Sequence, residues 1–165
     1  MPVPRDNIKI ERNSLFAIVN LFAARESLAD VGCFCLRDFF ILPKRKAVFV
    51  VDDDPSMRRG VKRLLREHGF EAVLFDSAEA LRNHEDFGEA FCIILDINLN
   101  DISGIDLREQ LAAAGILLPV IYITGNDNHA TRMAALQSGC IAYLTKPFPA
   151  KSLIEPIELA AARSA

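Results

Sequence analysis

The sequence predicts an α/β protein, a doubly wound parallel sheet of five strands with helices on both faces. Two observations carry this. From residue 47 onward, short apolar runs alternate with segments whose apolar residues recur at helical spacing. The connections are short, and "FCIILD" (91–96) is apolar throughout, as in a strand buried on both sides rather than one.

The elements follow in order. "AVFVVD" (47–52) is the first strand, and "PSMRRGVKRLLREHG" (55–69) has helix period. Met57, Val61, Leu64 and Leu65 share its apolar face, with Arg58, Arg59, Lys62, Arg63 and Arg66 outside it. Asp54 is placed to cap that helix, Pro55 fits its first position and Gly69 ends it. "EAVLF" (71–75) is the second strand, and Ser77 caps a helix over "AEALRNHE" (78–85). "FCIILD" is the third strand, followed by a helix over "GIDLREQLAAAG" (104–115) that stops at Gly115. "LPVIYIT" (118–124) leads to the helix "NHATRMAALQSG" (128–139), and "IAYLT" (141–145) to a last helix, "PAKSLIEPIELAAARS" (149–164). Pro156 lies inside that helix, where it removes a backbone hydrogen bond and is expected to kink or restart it, at about 3 kcal/mol in an unadapted helix.

Composition excludes several classes. The chain has 165 residues, 51% apolar and 25% charged, a globular balance for one main domain. No apolar run approaches a membrane span, and Asn20 interrupts "LFAIVNLFAA" (15–24), which argues against a cleaved signal peptide; the expected location is the cytoplasm. Residues 47–165 hold 11 basic and 17 acidic residues, which argues against nucleic acid as a direct ligand. Cys33 and Cys35 are too close for an ordinary disulfide, and Cys92 and Cys140 read as small buried hydrophobes. The three histidines stand near no second ligand and read as surface or cap residues. Residues 1–46, with Pro2, Pro4 and mixed charge, read as an extension, poorly ordered or translated from an upstream start, on which the domain does not depend.

In a sheet of this kind ligands bind beyond the carboxyl ends of the strands. Those ends carry Asp52, Asp53 and Asp54 on the first strand, Asp96 on the third, Thr124 and Gly125 on the fourth, and Lys146 before Pro147 on the fifth. Crowding like charges serves no packing purpose, so a positive partner is expected opposite them. Hard carboxylate oxygens in that number suit Mg²⁺ or Mn²⁺. A lysine supplies a point charge for an anion and a threonine a hydrogen bond to it, which completes a phosphoryl site. Asp96, ending the central strand before the loop "INLNDISG", is the expected nucleophile. Asp52 and Asp53 hold the metal, the backbone carbonyl of Asn98 completes it, and Asp54 turns away as a cap. Asn98 and Asn126 flank the site and either tune turnover or simply supply loop polarity.

Four motifs, "VVDDDPSMRR" (50–59), "ILDINLNDISG" (94–104), "VIYITG" (120–125) and "AYLTKPF" (142–148), resemble the receiver domain of two-component response regulators, most of all the receivers of nitrogen-fixation regulators. The resemblance covers residues 47 to about 160, so 47–165 is expected to be the receiver and 1–46 an extension. It implies a flavodoxin-like (βα)5 fold with strand order 2-1-3-4-5. It also implies that Asp96 accepts the phosphoryl group, that Asp52, Asp53, Asp96 and the carbonyl of Asn98 hold Mg²⁺, and that Lys146 pairs with the phosphate. Thr124 becomes the switch hydroxyl, Tyr143 an aromatic switch that turns inward on activation, and Lys146-Pro147 a cis bond. The implied partners are a sensor histidine kinase or a histidine phosphotransfer protein, and a downstream protein bound along the fourth helix, fifth strand and fifth helix; no DNA-binding output domain, direct nucleic-acid contact or membrane contact is expected. One departure is Asn100, where many members carry Pro. A phosphohydrolase with an aspartate nucleophile is the rival enzyme reading, but it needs a carboxylate two residues after Asp96, where Asn98 stands. A non-phosphorylated scaffold is the other alternative.

Overall fold

Five apolar runs pair into one parallel sheet in the computed structural model, which describes residues 47–164. The strands are β1 (Ala47–Val51), β2 (Ala72–Phe75), β3 (Ala90–Asp96), β4 (Val120–Thr124) and β5 (Ala142–Thr145), in the order β2-β1-β3-β4-β5. The helices are α1 (Pro55–Glu67), α2 (Ala78–Arg82), α3 (Gly104–Ala113), α4 (His129–Gln137) and α5 (Ala150–Ser164). The expected fold class and strand order are those observed. The reading of residues 1–46, with Cys33 and Cys35, lies outside the described residues.

Side-chain alternation along the strands makes two cores. Phe49, Val51, Ile93, Leu95 and Tyr122 face one side, against Leu81 of α2, Leu107 and Leu111 of α3, and Ala135 of α4. Val48, Val50, Cys92, Ile94, Ile121 and Ile123 face the other, against Val61 and Leu65 of α1 and Leu153, Ile154 and Ile157 of α5. The chain therefore runs from β1 outward to β2, returns to β3, and continues the other way to β4 and β5. That reversal opens a crevice at the carboxyl ends of β1 and β3. Among the described residues no helix is long and apolar enough to cross a membrane.

Asp54 and Ser77 cap their helices as the sequence predicts, and Asn128, read as the first residue of its helix, is a cap as well. Asp54 accepts from the Ser56 amide at 2.7 Å, Ser77 from Ala80 at 3.2 Å and Asn128 from Thr131 at 2.8 Å. Gly69 follows α1 with φ 81° and Gly115 follows α3 with φ 83°, a backbone region that favours glycine.

Two local expectations are corrected. The second helix ends at Arg82, three residues early, and a 3₁₀ turn follows at Phe87–Glu89. His84, expected at the surface or as a cap, is half-buried just past the end of that helix. Its ring sits edge-on among Phe49, Phe75 and Phe87, at centroid distances of 5.0, 5.4 and 5.8 Å, and its Nε2 lies 2.9 Å from Glu89. These contacts hold the half-buried ring in place where the helix has ended. The last helix, in turn, does not restart at Pro156 and runs as one element through Ser164. The proline removes the donor for the Ser152 carbonyl, and both residues line an open groove, so the lost bond faces the surface rather than the core.

The β3–α3 connection is tight. Asn98 bridges Ser103 across the loop, and the Gly104 amide donates to the Ile97 carbonyl at 3.0 Å. A methyl on Gly104 would run into the carbonyl oxygen of Asp96, which is backbone and cannot rotate away. Gly104→Ala is expected to lower stability by about 2 kcal/mol or more in urea unfolding. Gly60→Ala, in the middle of α1 where a methyl meets nothing within 4 Å, is expected to raise it by up to about 1 kcal/mol.

Candidate functional site

Among the described residues, the buried polar or charged ones are Asp52, Asp96 and Thr124, and each ends a strand at the same rim. Backbone bonds hold those ends in line with the sheet. The Asp52 amide donates to Phe75 at 3.3 Å, Ile97 to Ile123 at 3.0 Å and Lys146 to Thr124 at 2.8 Å, so the ladders continue past the strands. The chain thus presents these side chains from fixed positions.

Carboxylate oxygens of Asp52, Asp53 and Asp96 lie within 4.8 Å of one another. Lys146 Nζ donates to Asp52 Oδ2 at 2.8 Å and to Asp96 Oδ2 at 2.5 Å. The remaining oxygens accept from backbone: Asp52 Oδ1 from the Asp54 amide at 2.8 Å, Asp96 Oδ1 from the Asn98 amide at 2.9 Å. Burial pushes the Asp52 carboxyl up, and Lys146 and the Asp54 amide offset this only in part. Burial alone would lower Lys146, but its bonds to Asp52 and Asp96 carry it above the usual lysine value.

Thr124 is linked to this cluster through Asn98. The Asn98 side-chain amide donates to Thr124 Oγ1 at 2.9 Å, while Asn98's own backbone amide serves Asp96. The Thr124 hydroxyl also accepts from the Asn126 amide and donates to the Asn126 carbonyl, both at 3.1 Å. Tyr143 stands apart. Its ring is on the α4 side of β5, and its hydroxyl donates outward to Asp127 Oδ1 at 2.9 Å. The Lys146-Pro147 bond is cis, as the motif implies. The structure therefore gathers Asp52, Asp53, Asp96 and Lys146 directly and Thr124 through one intermediary, with Tyr143 outside.

Chemically, three carboxylates face one ammonium. The surplus of negative charge, with Asp52 buried against its ionised form, fits a hard dication such as Mg²⁺ held by Asp52, Asp53 and Asp96.

The model of the response regulator receiver domain family matches residues 48–158. Nodulation protein W of Bradyrhizobium diazoefficiens is 36% identical over 116 residues, 70% of this chain and 51% of that protein. A response regulator receiver domain protein from Clostridium thermocellum superimposes with a TM-score of 0.66 at 27% identity, over 72% of this chain and 95% of its own. FixJ-N does so with a TM-score of 0.62 at 28% identity, over 70% and 93%. The chain belongs to the response regulator receiver domain family. It spans about half the length of the curated relatives it matches. Receiver domains act in two-component signalling with histidine kinases as partners, and typically bind Mg²⁺ at an acidic pocket.

Three features of this receiver domain were not legible as site features in the sequence. Arg58 reads there only as an outward residue of α1, yet its Nη1 donates to the Asp52 carbonyl at 2.5 Å and pins the first acid's backbone. The Asn98 side chain reads either as tuning turnover or as loop polarity, with no partner indicated, and it bonds Thr124. Asp127 and Arg132 carry no motif signal and surround Tyr143. Only the spacing of Arg58, six residues after Asp52 on a capped helix, was available as a hint.

Lys146→Met removes the cation beside Asp52, so burial and the neighbouring Asp96 charge push the Asp52 carboxyl, already raised, further toward its neutral form. A carboxyl whose folded pKa is raised contributes stability at low pH and loses it as pH climbs through that folded value. The metal-free variant is therefore expected to approach wild-type stability in acid and to fall about 2 kcal/mol behind it at neutral pH, less than for a fully buried pair because the lysine is partly exposed. Thermal unfolding across pH checks this, and a difference independent of pH would contradict it.

Proposed function

We propose that this receiver domain is a phosphorylation switch in which Asp96 takes a phosphoryl group from the phosphohistidine of a sensor kinase or histidine phosphotransfer protein. The observation that carries this reading is the convergence of buried Asp52 and Asp96 on Lys146 at one rim, with buried Thr124 joined to it through Asn98. Residues 47–165 form the switching body on this reading, with 1–46 as an extension to it, in keeping with the family match over 48–158.

Asp52, Asp53, Asp96 and the backbone carbonyl of Asn98 are the residues to hold Mg²⁺, which would supply charge neutralisation for the transferred group; Mn²⁺ suits the same oxygens. An Asp96 carboxylate oxygen attacks phosphorus in line, the bond from phosphorus to the donor imidazole breaks, and the ring keeps the electron pair and takes up a proton. Lys146, already on Asp96, passes to the new phosphoryl oxygens, whose added charge is about −2. Thr124 leaves Asn98 and Asn126 for the same anion, and Tyr143 turns inward toward the space it vacates. Hydrolysis of the acyl phosphate resets the site. Asp96 has Asn98, not a second carboxylate, two residues on, and that side chain is committed to Thr124, which favours a phosphoacceptor over a turnover phosphohydrolase.

The downstream partner is a protein that reads the face of α4, β5 and α5. Large apolar side chains exposed among the described residues include Met133 and Leu136 on α4, Ile141 just before β5 and Leu159 on α5, a surface suited to such a contact. Function in the cytoplasm, where kinases draw on ATP, follows from the proposed donor.

Incubation with acetyl phosphate and Mg²⁺ is expected to add one phosphoryl mass to the wild-type chain and none to Asp96→Asn, with Asp53→Asn slowed about tenfold or more, since loss of even an outer-shell group at a metal site costs that much. Labelling that survives in Asp96→Asn, or steady release of phosphate from a monoester, would count against the switch and for a hydrolase.

A further inference from the structure

We propose that Asp127 and Arg132 form a latch that holds Tyr143 turned outward in the resting protein and that Thr124 releases it. What the latch controls rests on the phosphorylation-switch reading above; that it holds the ring does not.

Three groups hold one another. Tyr143 donates its hydroxyl to Asp127 Oδ1 at 2.9 Å. Arg132 grips the same carboxylate with two prongs, Nη2 to Oδ2 at 2.5 Å and Nε to Oδ1 at 3.3 Å. The guanidinium carbon of Arg132 also lies 5.2 Å from the centre of the Tyr143 ring, within reach of a cation–π contact. The ring is thus held at its hydroxyl by the anion and across its face by the cation. Arginine suits both tasks, since its planar fork matches a carboxylate while its face stacks on an aromatic.

The latch is tied to the site by one short stretch of chain. Asn126 bonds the Thr124 hydroxyl through both its amide and its carbonyl, and Asp127 is the next residue. When Thr124 turns toward an anion at Asp96 it drops both bonds, and the peptide that positions Asp127 loses its anchor. A local change in one hydroxyl then unseats the carboxylate on which the tyrosine and the arginine both depend. Two hydrogen-bonded neighbours pull the Asp127 carboxyl below its ordinary value, so it stays an anion and the latch stays charged at neutral pH.

The test uses the full chain labelled with 3-fluorotyrosine, with no phosphoryl donor present. There are two tyrosines, and Tyr122, fully buried, serves as an internal marker of folding. Exposure of Tyr143 is read from fluorine relaxation by a neutral soluble gadolinium chelate. Asp127→Ala and Arg132→Ala are each expected to raise the inward population about fivefold and so to lower that relaxation, the scale set by an exposed ion pair plus a cation–π contact. The double variant is expected to go no further than the stronger single, because each change breaks the same unit. Acetyl phosphate with Mg²⁺ is expected to lower the relaxation in wild type as well. Simple loss of a covering side chain would make the ring more accessible, the opposite sign. A more accessible or unchanged Tyr143 in both single variants, or effects that add in the double, overturns the latch. Failure of Asp96 to label while the donor-free variants still turn Tyr143 inward sinks the phosphorylation switch and leaves the latch standing.

Discussion

The ammonium of Lys146, set between the carboxylates of Asp52 and Asp96, is the interaction on which the rest of the rim depends. Both acids are buried, and two such anions side by side are unfavourable without a cation between them. In the strand order β2-β1-β3-β4-β5, Lys146 comes from the edge strand, so its side chain crosses the end of β4 to reach β3 and β1. Only a long, flexible cation spans that gap. Asp53 lies within reach of the same centre with no ion pair to Lys146, which leaves the cluster short of positive charge and explains why it suits a dication.

The scaffold keeps this arrangement rigid at modest cost. Strands packed on both faces fix the positions at which the acids emerge, and backbone bonds one residue past β1, β3 and β5 extend the ladders to the functional groups. Arg58 clamps the Asp52 carbonyl from α1, and Gly104 lets the chain fold back against the Asp96 carbonyl. Several side chains at this rim have more than one partner: Lys146 bonds two carboxylates, and the Thr124 hydroxyl bonds both Asn98 and Asn126.

Where the sequence misled, the reason was tertiary. His84 follows a helical pattern and is polar, so local rules leave it outside, but Phe49, Phe75 and Phe87 arrive from two strands and a turn to surround its ring. Pro156 breaks a local rule inside α5 and is accommodated because its missing donor falls on the groove side, while Leu153, Ile154 and Ile157 keep the helix on the sheet. Neither outcome can be computed from neighbours in the chain, since each turns on which residues meet across it.

By itself the sequence determined the strands, the side of each that faces a core, and the helix limits apart from that of α2, which closes at Arg82 three residues early. Those properties follow from local periodicity and from caps such as Asp54 and Ser77, whose partners are within three residues. Tertiary structure decided which atoms pair: Lys146 with Asp52 across 94 positions, Asn98 with Thr124 across 26 and, outside the rim, Tyr143 with Asp127 across 16. Strand order brings those ends together, and long side chains choose among partners by reach and charge. A linear pattern does not encode that choice.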